Sequence, residues 1–174
     1  MKQKVLLFLL LLSISGLANA EPLCGPVFTK SADNTQVVLM QQVFDGGVQE
    51  LAINYQDLNA KKKTSRLSFA GSKEAGCHFP SFALLKGGDW GWHVVWTSSA
   101  NQGVFYARVD GEAWVSSLPK KLSRAVAEQL TLKEIQGKIV ITAKYPANLN
   151  LPDENFVSDD EGRNWESLLI KQTP

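Results

Sequence analysis

The chain has 174 residues, of which 44% are hydrophobic and 20% are charged, and its formal net charge is +1. A chain of this size and composition is long enough for one globular domain with a hydrophobic core. Because a nearly neutral protein presents no basic surface of the kind that nucleic acid needs, we expect no nucleic-acid partner. We also expect no metal or other cofactor, since His78 and His93, the two histidines, do not make a ligand set.

The first twenty residues have the three parts of a secretory signal peptide. A basic start precedes the apolar run 5–12, and the segment ends in Ala18-Asn19-Ala20. The apolar run is too short for a permanent transmembrane helix. We therefore predict cleavage of residues 1–20 and a mature chain, 21–174, without a membrane span. Its expected location is the bacterial periplasm or the exterior of the cell.

The mature chain has two cysteines, Cys24 and Cys77. In an oxidising compartment an even pair most simply forms one disulfide. The bond would close a loop of about fifty residues, for which the chain-entropy model gives roughly 4 kcal/mol of stabilisation. We predict this disulfide, and two buried or metal-binding thiols are the alternative.

Runs of β-branched and aromatic residues recur along the chain at intervals of about fifty residues. The strongest runs lie at 37–40, 93–96 and 138–142. Each follows a turn and a shorter apolar run, at 27–29, 82–85 and 130–132. Each interval therefore predicts four antiparallel strands joined by turns.

A last strand follows the turn segment of each interval. We predict these strands at 66–69, 114–117 and 165–170. Residues 122–130 have helix-forming composition, which predicts a helical turn or a plain linker. The predicted units are about 21–75, 76–125 and 126–174, and no linker-like composition divides them, so one domain is expected.

A turn motif near the C-terminus carries the strongest resemblance to a known family. Ser158, Asp160, Gly162 and Trp165 form the pattern S-x-D-x-G-x-x-W. It resembles the Asp box of bacterial-neuraminidase (BNR) repeats in sialidases and related β-propellers, with Asn164 in place of the usual threonine. The serine and aspartate can accept backbone hydrogen bonds, and the glycine supplies a positive φ. We expect a structural role for the turn, with direct ligand contact by Asp160 or Trp165 as the alternative.

A shortened copy of the motif precedes it by about fifty residues. It runs from Asp110 and Gly111 to Trp114, and a fixed spacing aligns Tyr106 with Phe156. The corresponding segment of the first unit, around Asn59, lacks both glycine and tryptophan. The resemblance implies four-stranded propeller blades. The predicted fold is thus all-β, with about three antiparallel four-stranded units that form a partial sialidase-like propeller.

The resemblance does not extend to a catalytic set. A sialidase requires three arginines that clamp a carboxylate, a tyrosine nucleophile and an aspartic acid/base. The four arginines of this chain, Arg66, Arg108, Arg124 and Arg163, match none of the family's positions. We therefore predict no catalytic residues and an exported binding or scaffold protein. The alternatives are a glycoside hydrolase of the exo-sialidase type and a carbohydrate-binding module.

Three of the five tryptophans lie in residues 90–96. Alternation places Trp92 and Trp96 on one face of a strand, and Trp90 in the glycine-rich turn before it. These rings are predicted either to fill the core or, for Trp90 and Trp92, to form a ligand or partner face together with Arg108. The expected partner is an exported protein or a glycan.

Three blades do not close a ring. A homodimer could close a six-bladed ring if unit one of each chain packed against unit three of the other. That arrangement would cover the apolar strands around 37–40 and 139–141. A monomer whose end faces are covered by the loop 145–155 or by another protein is the alternative.

Overall fold

A computed structural model describes residues 27–30, 36–56, 62–68, 72, 76–88 and 90–169. The predicted signal peptide, Cys24 and Asn59 lie outside these residues. The described chain consists of β-strands and two single 3-10 turns, Asp45–Gly47 and Ala147–Leu149, without an α-helix. The prediction of an all-β protein with antiparallel strands is confirmed. No helix within the described ranges has the length and apolarity needed to cross a membrane.

The strands form three antiparallel sheets of four strands each. The first sheet contains β1 (Val27–Lys30), β2 (Gln36–Phe44), β3 (Val48–Gln56) and β4 (Lys62–Arg66). The second contains β5 (Phe82–Gly87), β6 (Gly91–Ser98), β7 (Gly103–Asp110) and β8 (Lys120–Ser123). The third contains β9 (Gln129–Ile135), β10 (Lys138–Lys144), β11 (Glu154–Ser158) and β12 (Glu166–Leu169). Consecutive strands are neighbours throughout, so each sheet is a meander.

The first two strands of each sheet lie where their β-branched and aromatic runs predict them, but two of the three fourth strands do not. The strand predicted at 66–69 is wrong, because β4 ends at Arg66. The strand predicted at 114–117 is only partly present, because Ser116 forms an isolated antiparallel bridge with Val109 of β7 and the fourth strand of the sheet, β8, begins at Lys120. The side chain of Trp114 packs against the first sheet instead of continuing the second. The fourth strand of the third sheet, β12, agrees with the prediction at 165–170.

The segment between the second and third sheets is a linker rather than a helix. Leu122 belongs to β8, and β9 begins at Gln129. Ala127 is fully buried between the two sheets, and Ala125 packs against the same cluster. The small side chains that raise the helix propensity of this segment are used for close packing, so tertiary contacts override local preference.

The sheets pack face to face, with the second sheet between the other two. One hydrophobic cluster joins the first and second sheets and contains Trp92, Val94 and Trp96 of β6. The other joins the second and third sheets and contains Val95. All eight residues of β6 are buried, because this strand lies in the middle sheet and is covered on both faces. Burial on this scale stabilises the fold at about 25 cal/mol per Å² of apolar surface.

The sheets approach one another most closely at their first strands, since β5 contacts both β1 and β9. The three sheets therefore form a fan, and the described strands do not close into a barrel or ring.

The inward-facing apolar residues of the two end sheets are covered within one chain. Val37 and Leu39 of the first sheet and Ile141 of the third are fully buried against the middle sheet. The outer faces instead carry polar pairs, in which Thr64 donates to Asn54 and Thr142 donates to Asn155, each at 2.7 Å. The outward residues of the same runs, Val38, Met40 and Val140, are only half-buried, so the homodimer that would cover them stays a prediction.

Candidate functional site

The box turn, residues 158–165, is closed by side-chain hydrogen bonds. The Ser158 hydroxyl donates to Asp160 Oδ1 at 2.8 Å and accepts from the backbone N–H of Gly162 at 2.9 Å. Asp160 also accepts from the backbone and side-chain N–H groups of Asn164, at 2.8 and 2.6 Å. These bonds, led by the one from the Asn164 backbone, lower the pKa of Asp160 to about 2. They are the contacts that the predicted structural role requires.

Gly162 and Trp165 direct the box turn onto the second sheet. Gly162 has a φ of +81°, and a Cβ there would lie 1.9 Å from the hydroxyl of Tyr106. Trp165 is half-buried, and its indole N–H donates to the carbonyl of Gly162 at 3.1 Å. The third sheet therefore contacts the second through the motif itself.

The shortened motif, residues 110–114, forms a tighter turn. Asp110 Oδ1 accepts from the backbone N–H groups of Glu112 and Ala113, at 2.9 and 2.6 Å. Gly111 lies close to Gly91, where an added Cβ would be 3.1 Å from the Gly91 Cα. Because one residue is missing, Trp114 itself takes the positive φ, +58°.

The two turns contact the preceding sheet in the same way. Trp114 lies against Tyr55 of the first sheet, with ring centroids 5.2 Å apart, and its indole donates to the Ile53 carbonyl at 3.3 Å. Trp165 lies against Tyr106 of the second sheet, with ring centroids 4.7 Å apart. Both tyrosines are on the third strand of their sheet, β3 and β7.

A lysine beside each tyrosine completes the contact. Lys63 is the cross-strand partner of Tyr55, and Lys120 is the cross-strand partner of Tyr106. Lys63 Nζ donates to the carbonyl of Glu112 at 2.7 Å, and Lys120 Nζ donates to the carbonyl of Arg163 at 3.1 Å. Each carbonyl belongs to the residue two positions before the tryptophan. We call this repeated contact between tryptophan, tyrosine and lysine the inter-sheet joint.

The alignment of Tyr106 with Phe156 is wrong by one residue. Tyr106 faces the third sheet, whereas Phe156 faces back toward the second and is buried there. The outward position of the third sheet is Asn155, opposite Leu168. A shift of one residue along a strand moves a side chain to the other face, so the two aligned rings point in opposite directions.

The structure brings Trp90 and Arg108 together but not Trp92. The Arg108 guanidinium carbon lies 4.0 Å from the centroid of the Trp90 ring. Both residues line a concavity of about 210 Å³, with Asp110, Val115 and Ser117. We call it the Trp90 concavity. Trp92 is 6% exposed and lies in the core between the first and second sheets, so it contributes nothing to this surface.

Arg108 is held in place without a hydrogen bond to its guanidinium Nε. This atom is buried and has no partner in the described chain. The NH2 group lies 3.7 Å from a carboxylate oxygen of Glu161, which is also 3.9 Å from the NH2 of Arg163. The Arg108 side chain is 23% exposed, so its outer edge faces solvent.

His93 is a buried residue that contacts both Trp90 and Tyr106. The sequence pattern predicts only that this histidine lies in a strand. It is 1% exposed, and a 2.5 Å hydrogen bond joins its Nδ1 to the Tyr106 hydroxyl. The Trp90 ring meets it edge-on at 4.8 Å. Burial, with a smaller contribution from the Arg108 charge, lowers the pKa of His93 to about 4, and burial raises the pKa of Tyr106. Both groups are therefore neutral at pH 7.

Two further surface concavities lie away from this site. One, of about 380 Å³, lies on the outer face of the first sheet and includes Met40 and Lys62. The other, of about 370 Å³, lies beside Tyr145 and includes Arg124 and Leu169. No cluster of three or more metal-ligating side chains occurs among the residues that the structure describes.

Cys77 is not a free thiol, whereas Cys24 lies outside the described residues, so the predicted disulfide between them stays a prediction. No protein-family model matches the chain, and no curated protein matches its sequence.

Proposed function

We propose that this chain is an exported binding or scaffold protein that holds its partner at the Trp90 concavity and does not catalyse a reaction. The observation that carries the proposal is the stack of Arg108 on Trp90 at the wall of a concavity. Tryptophan and arginine are the residues most enriched at the energetic centres of protein interfaces. A partly desolvated arginine on an indole face is also strongly preorganised.

The rim of the concavity favours a protein partner. Val115 and Leu118 are 62% and 82% exposed, and both lie in the loop that borders it. The loop is tied to β7, because the Asp110 N–H donates to the Val115 carbonyl at 2.9 Å and the Ser117 N–H donates to the Arg108 carbonyl at 2.8 Å. Exposed aliphatic side chains on an anchored loop are typical of an interaction site.

The arrangement of the arginines supports a binding function over glycoside hydrolysis. Arg66 is bound by Glu50 through two hydrogen bonds of 2.7 and 2.6 Å. Arg124 lines a different concavity. A sialidase clamp needs three arginines at one carboxylate, and these two are placed elsewhere.

We also propose that the three sheets are blades of a partial, sialidase-like propeller that an N-terminal signal peptide directs to the periplasm. The support is the hydrogen bonding of the box turn, the meander in each sheet, and the approach of the first strands. The repeated joint adds to it, because successive blades must meet in an equivalent way.

Site-specific photo-crosslinking tests the binding proposal. A photoreactive phenylalanine analogue at Val115 should capture one discrete partner in the periplasm, and Trp90→Ala should abolish the adduct. The same analogue at Leu168 of the third sheet, which is 53% exposed and does not line the concavity, is the matched control. Equal adducts from both positions, or an adduct that survives Trp90→Ala, would contradict the proposed surface.

Carbohydrate binding is the second candidate, since Asp110 and Ser117 place polar groups beside the Trp90 ring. A glycan array on the purified chain decides between the two candidates. Binding that Trp90→Ala removes would favour a carbohydrate-binding module. Turnover of a fluorogenic sialoside would instead show a glycoside hydrolase.

A further inference from the structure

We infer that Arg108 receives a carboxylate from the partner, and that the partner is a peptide segment with an aliphatic residue next to that carboxylate. This inference rests on the proposed function of the Trp90 concavity. It goes further, because it names the chemical group that the site recognises.

The first step is the unused hydrogen-bonding capacity of Arg108. A guanidinium has five N–H donors in a planar fork, and carboxylates fill such forks through two parallel bonds. The Nε is buried, so the donors that a ligand can reach are those at the outer edge of the guanidinium, which faces solvent. There the contact to Glu161 is 3.7 Å, which is longer than a hydrogen bond. The Arg108 side chain is thus held in one orientation, while the hydrogen-bond donors at its outer edge remain available to a ligand.

The second step is the rigidity of the support. The Trp90 ring packs against the guanidinium on one side and against His93 on the other. His93 is hydrogen-bonded to Tyr106, which lies under the box turn. An arginine held by stacking loses little conformational entropy when a ligand binds.

The third step is the position of Glu161, which shows that a carboxylate is compatible with this edge of Arg108. Glu161 is 54% exposed and is shared with Arg163, so its attraction to Arg108 is weak and easily exchanged. An incoming carboxylate would compete with it. The other nearby acid, Asp110, directs its Oδ1 to two N–H groups of its own turn.

The fourth step is the apolar rim, which decides the class of partner. Val115 and Leu118 extend from the loop beside Arg108 and are largely exposed. A group that combines a carboxylate with an aliphatic side chain fills both parts of the site. A peptide offers this combination at an acidic residue or at its own C-terminus.

The experiment uses small probes and the mature chain labelled with nitrogen-15. N-acetyl-leucyl-leucine, with a free carboxylate, should shift the indole resonance of Trp90 in a saturable way, and its amide should not. Equal shifts with both probes, or no saturable shift with the free acid, would overturn the inference. The Trp90 resonance is assigned with Trp90→Phe.

Two substitutions move the affinity in opposite directions. Arg108→Gln should weaken binding of the free acid by at least about tenfold, because a charge-assisted bond is lost. Glu161→Gln should strengthen it about twofold to fivefold, because it removes a weak competitor. The gain from Glu161→Gln requires a folded protein, so misfolding cannot imitate it. Arg163→Gln is the control and should leave the affinity within about twofold.

Further probes distinguish the sources of the carboxylate. N-acetyl-leucyl-aspartate diamide presents only a side-chain carboxylate, and glucuronate presents a sugar carboxylate. Binding of glucuronate in preference to both peptides would overturn the peptide assignment. If no carboxylate binds but crosslinking from Val115 still depends on Trp90, the inference fails and the proposed function stands.

Discussion

Gly162 connects two sheets through a single position of the box turn. Its φ of +81° is unfavourable for any residue with a side chain, and the Tyr106 hydroxyl occupies the space that a Cβ needs. The motif itself indicates the positive φ at this position. The contact with the Tyr106 hydroxyl comes from another sheet, and the motif does not predict it.

Replacement of Gly162 by alanine should reduce the free energy of unfolding by about 2–4 kcal/mol, because backbone strain and overpacking add. Gly137 is a matched control, since its φ is +74° but nothing lies within 4 Å of an added Cβ. Gly137→Ala should therefore cost only about 1 kcal/mol. Urea unfolding of both variants measures the difference, and equal losses would show that the Tyr106 contact is unimportant.

His93 makes the stability depend on pH. Its pKa is about 4 in the folded protein and about 6.5 in the unfolded chain, so only the unfolded chain gains a proton between these values. Stability is thus fully present above pH 6.5 and falls as the pH decreases toward 4. We expect a loss of about 2–3 kcal/mol at pH 4, because one pKa unit corresponds to about 1.4 kcal/mol and the folded His93 is itself half protonated at that pH.

Denaturant unfolding at several pH values between 7 and 4 measures this slope. His93→Gln should flatten it, whereas Asp160→Asn should change it little, because the contribution of the Asp160 carboxylate is lost mainly below pH 4, between its ordinary pKa of 3.8 and its folded pKa of about 2. A slope that persists in His93→Gln would assign the effect to another group.

At the scale of elements, the inter-sheet joint explains why sheets of little sequence similarity stack in the same way. Each box tryptophan reaches back to the third strand of the previous sheet, and a lysine on the next strand binds the turn. The contact depends on the box turn following the third strand in each unit. This order is visible in the sequence, but the contact of each tryptophan with a tyrosine of the previous sheet is not.

Double-mutant cycles test whether the joint is made of two equivalent pairs. Trp114 with Tyr55, and Trp165 with Tyr106, should each show a coupling energy of about 0.5–1.5 kcal/mol when both residues are changed to leucine. The crossed pair of Trp114 with Tyr106 is the control and should show none. Trp114→Ala alone should cost about 3–5 kcal/mol, and Trp165→Ala less, since Trp165 is only half-buried.

At the scale of the whole molecule, the two ends of the fan lack the parts of the joint. The third sheet presents Asn155 and Leu168 where the other sheets have tyrosine and lysine. The segment between β3 and β4 of the first sheet contains no tryptophan in its sequence, and Lys63 takes part in the joint with the second sheet instead. A second copy could not continue the stack by the same contact.

We therefore expect a monomer in sedimentation equilibrium, even at high protein concentration. The outer faces carry the Thr64–Asn54 and Thr142–Asn155 pairs among the half-buried Val38, Met40 and Val140, and this mixture of polar and apolar side chains gives association only a weak driving force. A stable dimer that Leu168→Glu dissociates would contradict this expectation and would restore the model of a ring closed by two copies.

The sequence by itself determined the features that depend on neighbouring residues. Strand positions follow from runs such as those in β2, β6 and β10, because side-chain alternation and β-propensity are local. The box turn follows from its motif, because serine, aspartate and glycine act on backbone atoms within eight residues.

Only the tertiary structure decided which side chains meet across sheets. Trp90 and Trp92 are two residues apart, yet one lines a surface concavity and the other is in the core, because the turn before β6 ends between them. The pairing of Trp165 with Tyr106, and of His93 with the same hydroxyl, joins residues from different strands. Such contacts depend on the relative position of whole sheets, which is set by summed packing over two hydrophobic clusters and not by any local pattern.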